Sequence, residues 1–307
     1  SFMHDFNSDR DVLKIFNHWN FKGSYDTEIL NFKNAIISEL ISKEIVSESI
    51  FEKYDYNLDE LHLCLKDDIT SLDNSEQNII SISFYETSKK IQEIYVKFIS
   101  DIISPIFEEK IHYQVVPTFR FHFPNQKGYE WKDRYHTDIM LGHPPYELNI
   151  WLPFTKVFDT NSMRLTSLND SMQIYKICNN NFEKLAEKCQ YDDDFIALLS
   201  SKSSPLNMEY GEFIIFDPKC LHCTQHNTTN KTRISMDIRI MLENNFDKYS
   251  REYKTTGRKK MLIGLNIGII LMRTKTLCAR RHKKKFCLKS ECISFKYLFN
   301  ILNYSRI

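Results

Sequence analysis

Apolar residues recur at helical spacing in the first third of the chain and at every second position further on. Between Ile29 and Ile50, the residues Ile29, Leu30, Phe32, Ile36, Ile37, Leu40, Ile41 and Ile45 keep close to a 3.6-residue period, which predicts one amphipathic helix. Ser81 to Phe107 repeats the pattern with Ile91, Ile94, Tyr95, Phe98, Ile102 and Ile103 until Pro105 interrupts it. Asn181 to Leu199 predicts a further helix, and the polar stretch near Asp67 to Asn78 reads as a loop.

After about residue 111 the period falls to 2. In Gln114 to Phe123, Val115, Phe119, Phe121 and Phe123 share one face, and Gln114, Thr118, Arg120 and His122 share the other. Glu147 to Phe154 sets Leu148, Ile150 and Leu152 against Glu147, Asn149 and Trp151. Glu212 to Asp217 is a short apolar run closed by the turn signal Asp217-Pro218. Thr232 to Leu242 sets Ile234, Met236, Ile238, Ile240 and Leu242 against Arg233, Ser235, Asp237 and Arg239. Strands with one apolar and one charged face suit a two-sheet barrel, with the apolar faces packed on helices and the polar faces lining a cavity. The predicted class is therefore α+β: a double-stranded β-helix (jelly-roll, cupin-like) with an N-terminal helical cover. The alternative is a sheet whose polar faces meet solvent, as antiparallel sheets often do. The expected divisions are a helical part over 1–110, the barrel over 111–257 and a tail over 258–307.

The polar faces carry a metal-ligand pattern. Tyr135-His136-Thr137-Asp138 contains H-x-D, and residues i and i+2 of a strand project from one face. An imidazole and a carboxylate there can reach one ion, and a third ligand must come from a distant strand. His222, directly after the apolar run 212–217, is the candidate; His226, within an Asn/Thr-rich turn, competes less well. Two His and one carboxylate leave three positions open, the facial triad of non-haem Fe(II) oxygenases. Arg233 and Ser235 point the same way along their strand, and a guanidinium fork with a neighbouring hydroxyl suits a carboxylate such as the distal one of 2-oxoglutarate. Asn149 is a candidate contact to that cosubstrate or to the ligands. Arg120, His122 and Trp151 are candidates for touching substrate, with pairing or packing inside the barrel as the alternative. His143 reads as a loop residue at the mouth. A zinc site from Cys220, His222 and Cys223 matches no common zinc spacing.

The order H-x-D, Asn149-Ile150-Trp151-Leu152-Pro153, Gly211 to Asp217 (G-E-F-I-I-F-D), Leu221-His222 and Asn227 to Ser235 (N-T-T-x-x-x-R-x-S) resembles the phytanoyl-CoA-hydroxylase-like oxygenases. It is most similar to the StrG branch found in streptomycin-biosynthesis and carbohydrate gene clusters, over about residues 112–257. The resemblance implies iron on His136, Asp138 and His222, and 2-oxoglutarate on Arg233. It also implies decarboxylation to succinate and CO2 with O2, and hydroxylation of a C–H bond. A sugar, sugar nucleotide or natural-product precursor is the substrate expected by analogy. A protein side-chain hydroxylase and a non-catalytic cupin-like binding module are the rivals. Asp138 argues against halogenation, which needs a vacant ligand position there.

Composition adds limits. With 7 Gly among 307 residues and no G-x-G-x-x-G or G-x-x-x-x-G-K, the common nucleotide-binding loops are absent. The 22 Phe and 16 Tyr can fill a large core. The eight Cys, without a secretory apolar segment near the N-terminus, fit a reduced, cytoplasmic setting. The net charge of +1 conceals an acidic body: residues 258–307 hold 13 of the 41 Lys and Arg but only one of the 40 acids, Glu291. That body disfavours a nucleic-acid partner and leaves a small molecule as the expected one. Met261 to Met272 is apolar but too short to span a bilayer, which takes about 20 residues. The basic run Arg280 to Lys285 reads as a solvated, mostly disordered tail, with anionic lipid or nucleic acid as the alternative. The composition changes at Arg258-Lys259-Lys260-Met261, codons for which can form a slippage-prone adenine-rich tract. We hypothesise a frameshifted ending; resequencing that tract tests it, and an unambiguous tract in the present frame rejects it.

Overall fold

The sequence alternation is carried into space by two antiparallel sheets and a layer of helices. A computed structural model of the chain describes residues 20–66, 79–107, 109–125, 134–141, 143 and 146–247, with the backbone alone for Leu141 and Lys275–Leu277. The expectations for the loop near 67–78, and those for the tail apart from that short backbone segment, lie outside the described residues.

The strands are β1 (Asn20–Ser24), β2 (Ile111–Tyr113), β3 (Thr118–His122), β4 (Leu148–Pro153), β5 (Met163–Thr166), β6 (Ser203–Pro205), β7 (Glu212–Phe216), β8 (His222–Thr224), β9 (Arg233–Leu242) and β10 (Lys275–Leu277). One seven-stranded sheet runs β1-β7-β4-β9-β2-β10, with β3 also paired to β9. A three-stranded sheet runs β6-β5-β8. All these pairings are antiparallel. On β9, Arg233 stands opposite His122, Ser235 opposite Arg120 and Pro153, Asp237 opposite Thr118 and Trp151, and Arg239 opposite Asn149.

The helices are α1 (Phe32–Ser42), α2 (Glu48–Lys53), α3 (Ile79–Ser83), α4 (Lys89–Phe98), α5 (Leu168–Ile177), α6 (Phe182–Tyr191) and α7 (Asp193–Lys202). Three continuous predictions are interrupted. The 29–50 pattern holds only for α1, which begins at the cap Asn31, whose side chain accepts from Asn34 N–H. It ends before Glu44, whose φ of 55° no helix accommodates. The 81–107 pattern splits at Ser88, the cap of α4, and closes in a π turn (Ile99–Ile103) and a 3-10 turn (Ser104–Ile106) around Pro105. The 181–199 pattern splits at Asp192, whose carboxylate accepts from Phe195 N–H and starts α7. At Ser88 and Asp192 local side-chain capping outweighs a periodicity that continues through the break, whereas after α1 the positive φ of Glu44 ends the helix. Helix α5 was not anticipated, nor was β1 in a part read as helical. Of the predicted 114–123 strand only Thr118–His122 forms one, as β3; β2 precedes it, and residues 114–117, ending at Pro117, connect the two.

The face assignments hold. Phe119, Phe121, Leu148, Ile150, Ile234, Met236, Ile238 and Ile240 bury with Phe32, Ile36, Leu40, Tyr95 and Phe98 of α1 and α4 in the largest core. Phe32 meets Tyr25 and Phe98 edge-on, at 6.0 and 6.1 Å between ring centres, and Phe154 at 5.1 Å. A second cluster joins the two sheets: Trp151, Ile214 and Phe216 meet Met163, Leu165 and Cys220. The buried Glu39 of α1 accepts from Ser88 N–H and pairs with Lys43, tying α1 to the start of α4.

Phe32 is fully buried where helix layer and sheet meet. Phe32→Ala should lower unfolding free energy by about 3–5 kcal/mol, the range for a buried aromatic with incomplete collapse of its cavity. Denaturant unfolding checks this, and a change below about 1 kcal/mol would contradict the packing described.

Candidate metal centre

The H-x-D segment does not lie in a long strand. His136 makes one bridge to His222, with each N–H donating to the other's carbonyl at 3.0 Å, and Asp138 then opens a 3-10 turn, Asp138–Leu141. The correction changes the scaffold but not the convergence. His136 and His222 are cross-strand partners with ring centres 4.5 Å apart. One ligand atom from each of His136, Asp138 and His222 lies within 4.8 Å of the other two. Among the described residues this is the only such group of His, Cys, Asp and Glu.

The backbone sets the tautomers. His136 Nδ1 lies 3.0 Å from the Arg134 carbonyl, and His222 Nδ1 lies 3.0 Å from the Cys220 carbonyl. A carbonyl only accepts, so each Nδ1 must carry the proton and each Nε2 is left with its lone pair. His222 Nε2 lies 3.7 Å from Asp138 Oδ1. Burial, then the neighbouring His136, brings the His222 pKa down to about 4, so its imidazole is neutral at pH 7. Burial works to raise the Asp138 pKa, but Arg239, helped by His143, His222 and His136, outweighs it and holds the carboxyl well below the usual range. A neutral imidazole at His222 and a charged carboxylate at Asp138 are protonation states a divalent metal requires.

Arg239 is the residue that sequence reading passed over. Its Nε and Nη2 donate to Asp138 Oδ2 at 3.1 and 2.9 Å. Its place on the polar face of β9 was legible; that β9 passes beside the H-x-D turn was not. Asp237 was passed over likewise, and it accepts from Arg120 Nε at 2.9 Å.

The cluster opens onto a cleft between the two sheets. Arg120, Asn149, Trp151, Arg233, Asp237 and Arg239 line it from the large sheet, and Met163, His222 and Thr224 line it from the small one. Arg233 is buried, with Nη1 3.5 Å from the Asn161 carbonyl. Ser235 Oγ and Asn149 Oδ1 are buried without a hydrogen-bond partner among the described residues. Such atoms cost free energy unless something else satisfies them.

Two candidates are placed elsewhere. His122 does not line the cleft. Its Nε2 donates to the Gln225 carbonyl, and burial followed by Arg233 lowers its pKa to about 3. His226 is outside the metal-ligand cluster. His143 sits at the turn as expected, donating its N–H to the Asp138 carbonyl and its Nδ1 proton to Glu147. The zinc alternative fails among the described residues: Cys220 packs with Trp151 and Phe216, while Cys223 packs in a separate cluster with Tyr135 and Tyr175.

Two His and one carboxylate that could hold a metal ion thus converge between antiparallel sheets. A 169-residue stretch is 25% identical to the streptomycin biosynthesis protein StrG of Streptomyces griseus, covering 51% of this chain and 65% of that protein, slightly less than two thirds of its length. No family model matches the chain. Among solved structures, the non-heme alpha-ketoglutarate-dependent carbocyclase SnoK from nogalamycin biosynthesis aligns with a TM-score of 0.45 at 10% identity, over 76% of this chain and 84% of that one. EctD from S. alaskensis aligns at 0.43 and 10%, over 78% and 79%. Likeness at that level does not by itself establish a shared fold.

The lowered His122 and His222 pKa values have a defined pH consequence. The unfolded imidazoles take protons near pH 6.5 and the folded ones only near 3 and 4. Stability of the metal-free protein is therefore full above about pH 6.5 and falls as pH drops towards 4, by up to about 1.4 kcal/mol per pH unit for each group. Urea midpoints from pH 7 to 4.5 measure this; a flat profile would contradict it, and His122→Asn should shallow the slope.

Proposed function

We propose that the chain is an Fe(II)- and 2-oxoglutarate-dependent oxygenase that oxidises a small molecule, built on a double-stranded β-helix. The observation that carries this reading is the His136–Asp138–His222 cluster facing a cleft that also holds Arg233. The donor set fits Fe(II): two nitrogens and one oxygen, gathered on one side, suit the iron oxygenases better than the thiolate sets of structural zinc. Bound there, Fe(II) supplies the redox chemistry that couples conversion of 2-oxoglutarate and O2 to succinate and CO2 with oxidation of a substrate C–H bond.

The chain's own residues do the rest. His136 and His222 present Nε2, and Asp138 presents a carboxylate oxygen. Arg233 holds the distal carboxylate of 2-oxoglutarate through charge-assisted hydrogen bonds, and Ser235 Oγ, buried and otherwise unsatisfied, donates to the same group. The neutral His122 beside Arg233 adds no competing charge. Asn149 orients the cosubstrate through its amide N–H groups or holds a bound water at its unsatisfied Oδ1. Arg120, Asp237 and Trp151 offer polar and aromatic contacts to the substrate. The similarity to StrG supports a carbohydrate or natural-product precursor over a protein side chain. Among the described residues no helix is long and apolar enough to cross a membrane.

Anaerobic titration of the metal-free protein with Fe(II) and then 2-oxoglutarate tests the reading through the visible charge-transfer band of a chelated oxo acid. The band should saturate in the wild type and vanish in His136→Ala. In Arg233→Ala the cosubstrate should bind at least about tenfold more weakly, since hydrogen bonds to charged groups contribute roughly 1.5–3 kcal/mol. A folded protein that takes up iron stoichiometrically and gives no band would leave the non-catalytic binding module as the better account.

A further inference from the structure

The two oxygens of Asp138 have different surroundings. Oδ2 accepts from both Nε and Nη2 of Arg239, at 3.1 and 2.9 Å. Oδ1 lies 3.7 Å from His222 Nε2, on the side where the ligand atoms converge. Asp138 is 2% exposed, so no bulk water competes for either oxygen. Arg239 cannot readily swing away. It stands on β9 opposite Asn149, and Asp237 and Glu147 add attraction to that of Asp138.

We propose that Arg239 is a positioning residue that occupies Oδ2 of Asp138, so that the carboxylate meets the metal through Oδ1 alone. The inference rests on the metal-centre reading above and adds a role to a residue outside the ligand set. A free carboxylate binds a metal through one oxygen or through both. Through one, two imidazoles and the carboxylate leave three of six positions open; through both, they leave two. A chelating 2-oxo acid fills two. With Arg239 in place, one position stays vacant after the cosubstrate binds; without it, Asp138 can close that position by adding its second oxygen. The guanidinium also keeps the carboxylate charged and aimed before any ion arrives, which is the work of groups that support metal ligands from behind.

The full chain loaded with Mn(II), without cosubstrate, tests this through water-proton relaxation, which counts the exchangeable waters on the ion. Arg239→Met should still bind Mn(II), but with its hydration contribution reduced by about a third, from three open positions to two. Arg239→Lys, which can still donate to Oδ2, should restore the wild-type value. Arg239→Gln, similar in length and with its charge removed, is read in parallel in case the Met variant does not fold, and a reduced count is expected there too. Wild-type hydration in every folded variant that lacks the cation overturns the role of Arg239. Failure of the metal centre itself looks different: the wild type would take up no Mn(II), or uptake would persist in the His136→Ala, His222→Ala double variant.

Discussion

Strand β9 is buried on both faces, and its two faces have opposite chemistry. Ile234, Met236, Ile238 and Ile240 pack under α1 and α4, while Arg233, Ser235, Asp237 and Arg239 point into the space between the sheets. A one-residue slip would exchange these sets and put two guanidinium groups into a core of Phe and Ile. The cost of burying an unpaired charge makes that register inaccessible. The alternation of this one strand therefore fixes how β3 and β4 pair, and with them the lining of the cleft.

Buried charge on the polar face is tolerated where a guanidinium and a carboxylate are paired. Arg239 faces the Asp138 carboxylate, Arg120 faces Asp237, and His122 beside Arg233 stays neutral. The two ends of β9 are thereby differentiated. At the Arg239 end the positive charge is matched by the carboxylate of the metal-ligand cluster. At the Arg233 end the neighbouring imidazole of His122 resists protonation.

Legibility varied with the range of the interaction involved. The period-2 faces of β4 and β9 were readable, because every position of those strands is sandwiched between an apolar core and a polar cleft. The helical stretches were recognisable as helical but not as divided. Ser88 and Asp192 start new helices by accepting backbone N–H groups, and Glu44 ends α1 with a positive φ, local effects that apolar periodicity does not register. The short helix α5, with its Ser167 cap, escaped notice between stronger signals. His136, Asp138 and His222 were legible through order and spacing, although the strand imagined beneath the first two is a single bridge and a turn. Arg239 was visible as an inward residue and invisible as the partner of Asp138.

By itself the sequence determined which residues face inward and which chemistry they carry, because side-chain direction along a strand follows from backbone geometry alone. It also determined that a His, an Asp and a second His, with an Arg eleven residues beyond the last, were available for one centre. Only the tertiary structure decided that His222 and not His226 meets the H-x-D turn, that His122 turns to Gln225 and away from the cleft, and that Arg239 grips one oxygen of Asp138. Each of these depends on the pairing and crossing of segments some 86 to 103 residues apart, which no local rule of spacing specifies. The reason is physical: partners across sheets are selected by the burial of whole faces, and individual polar contacts follow from the register that burial imposes.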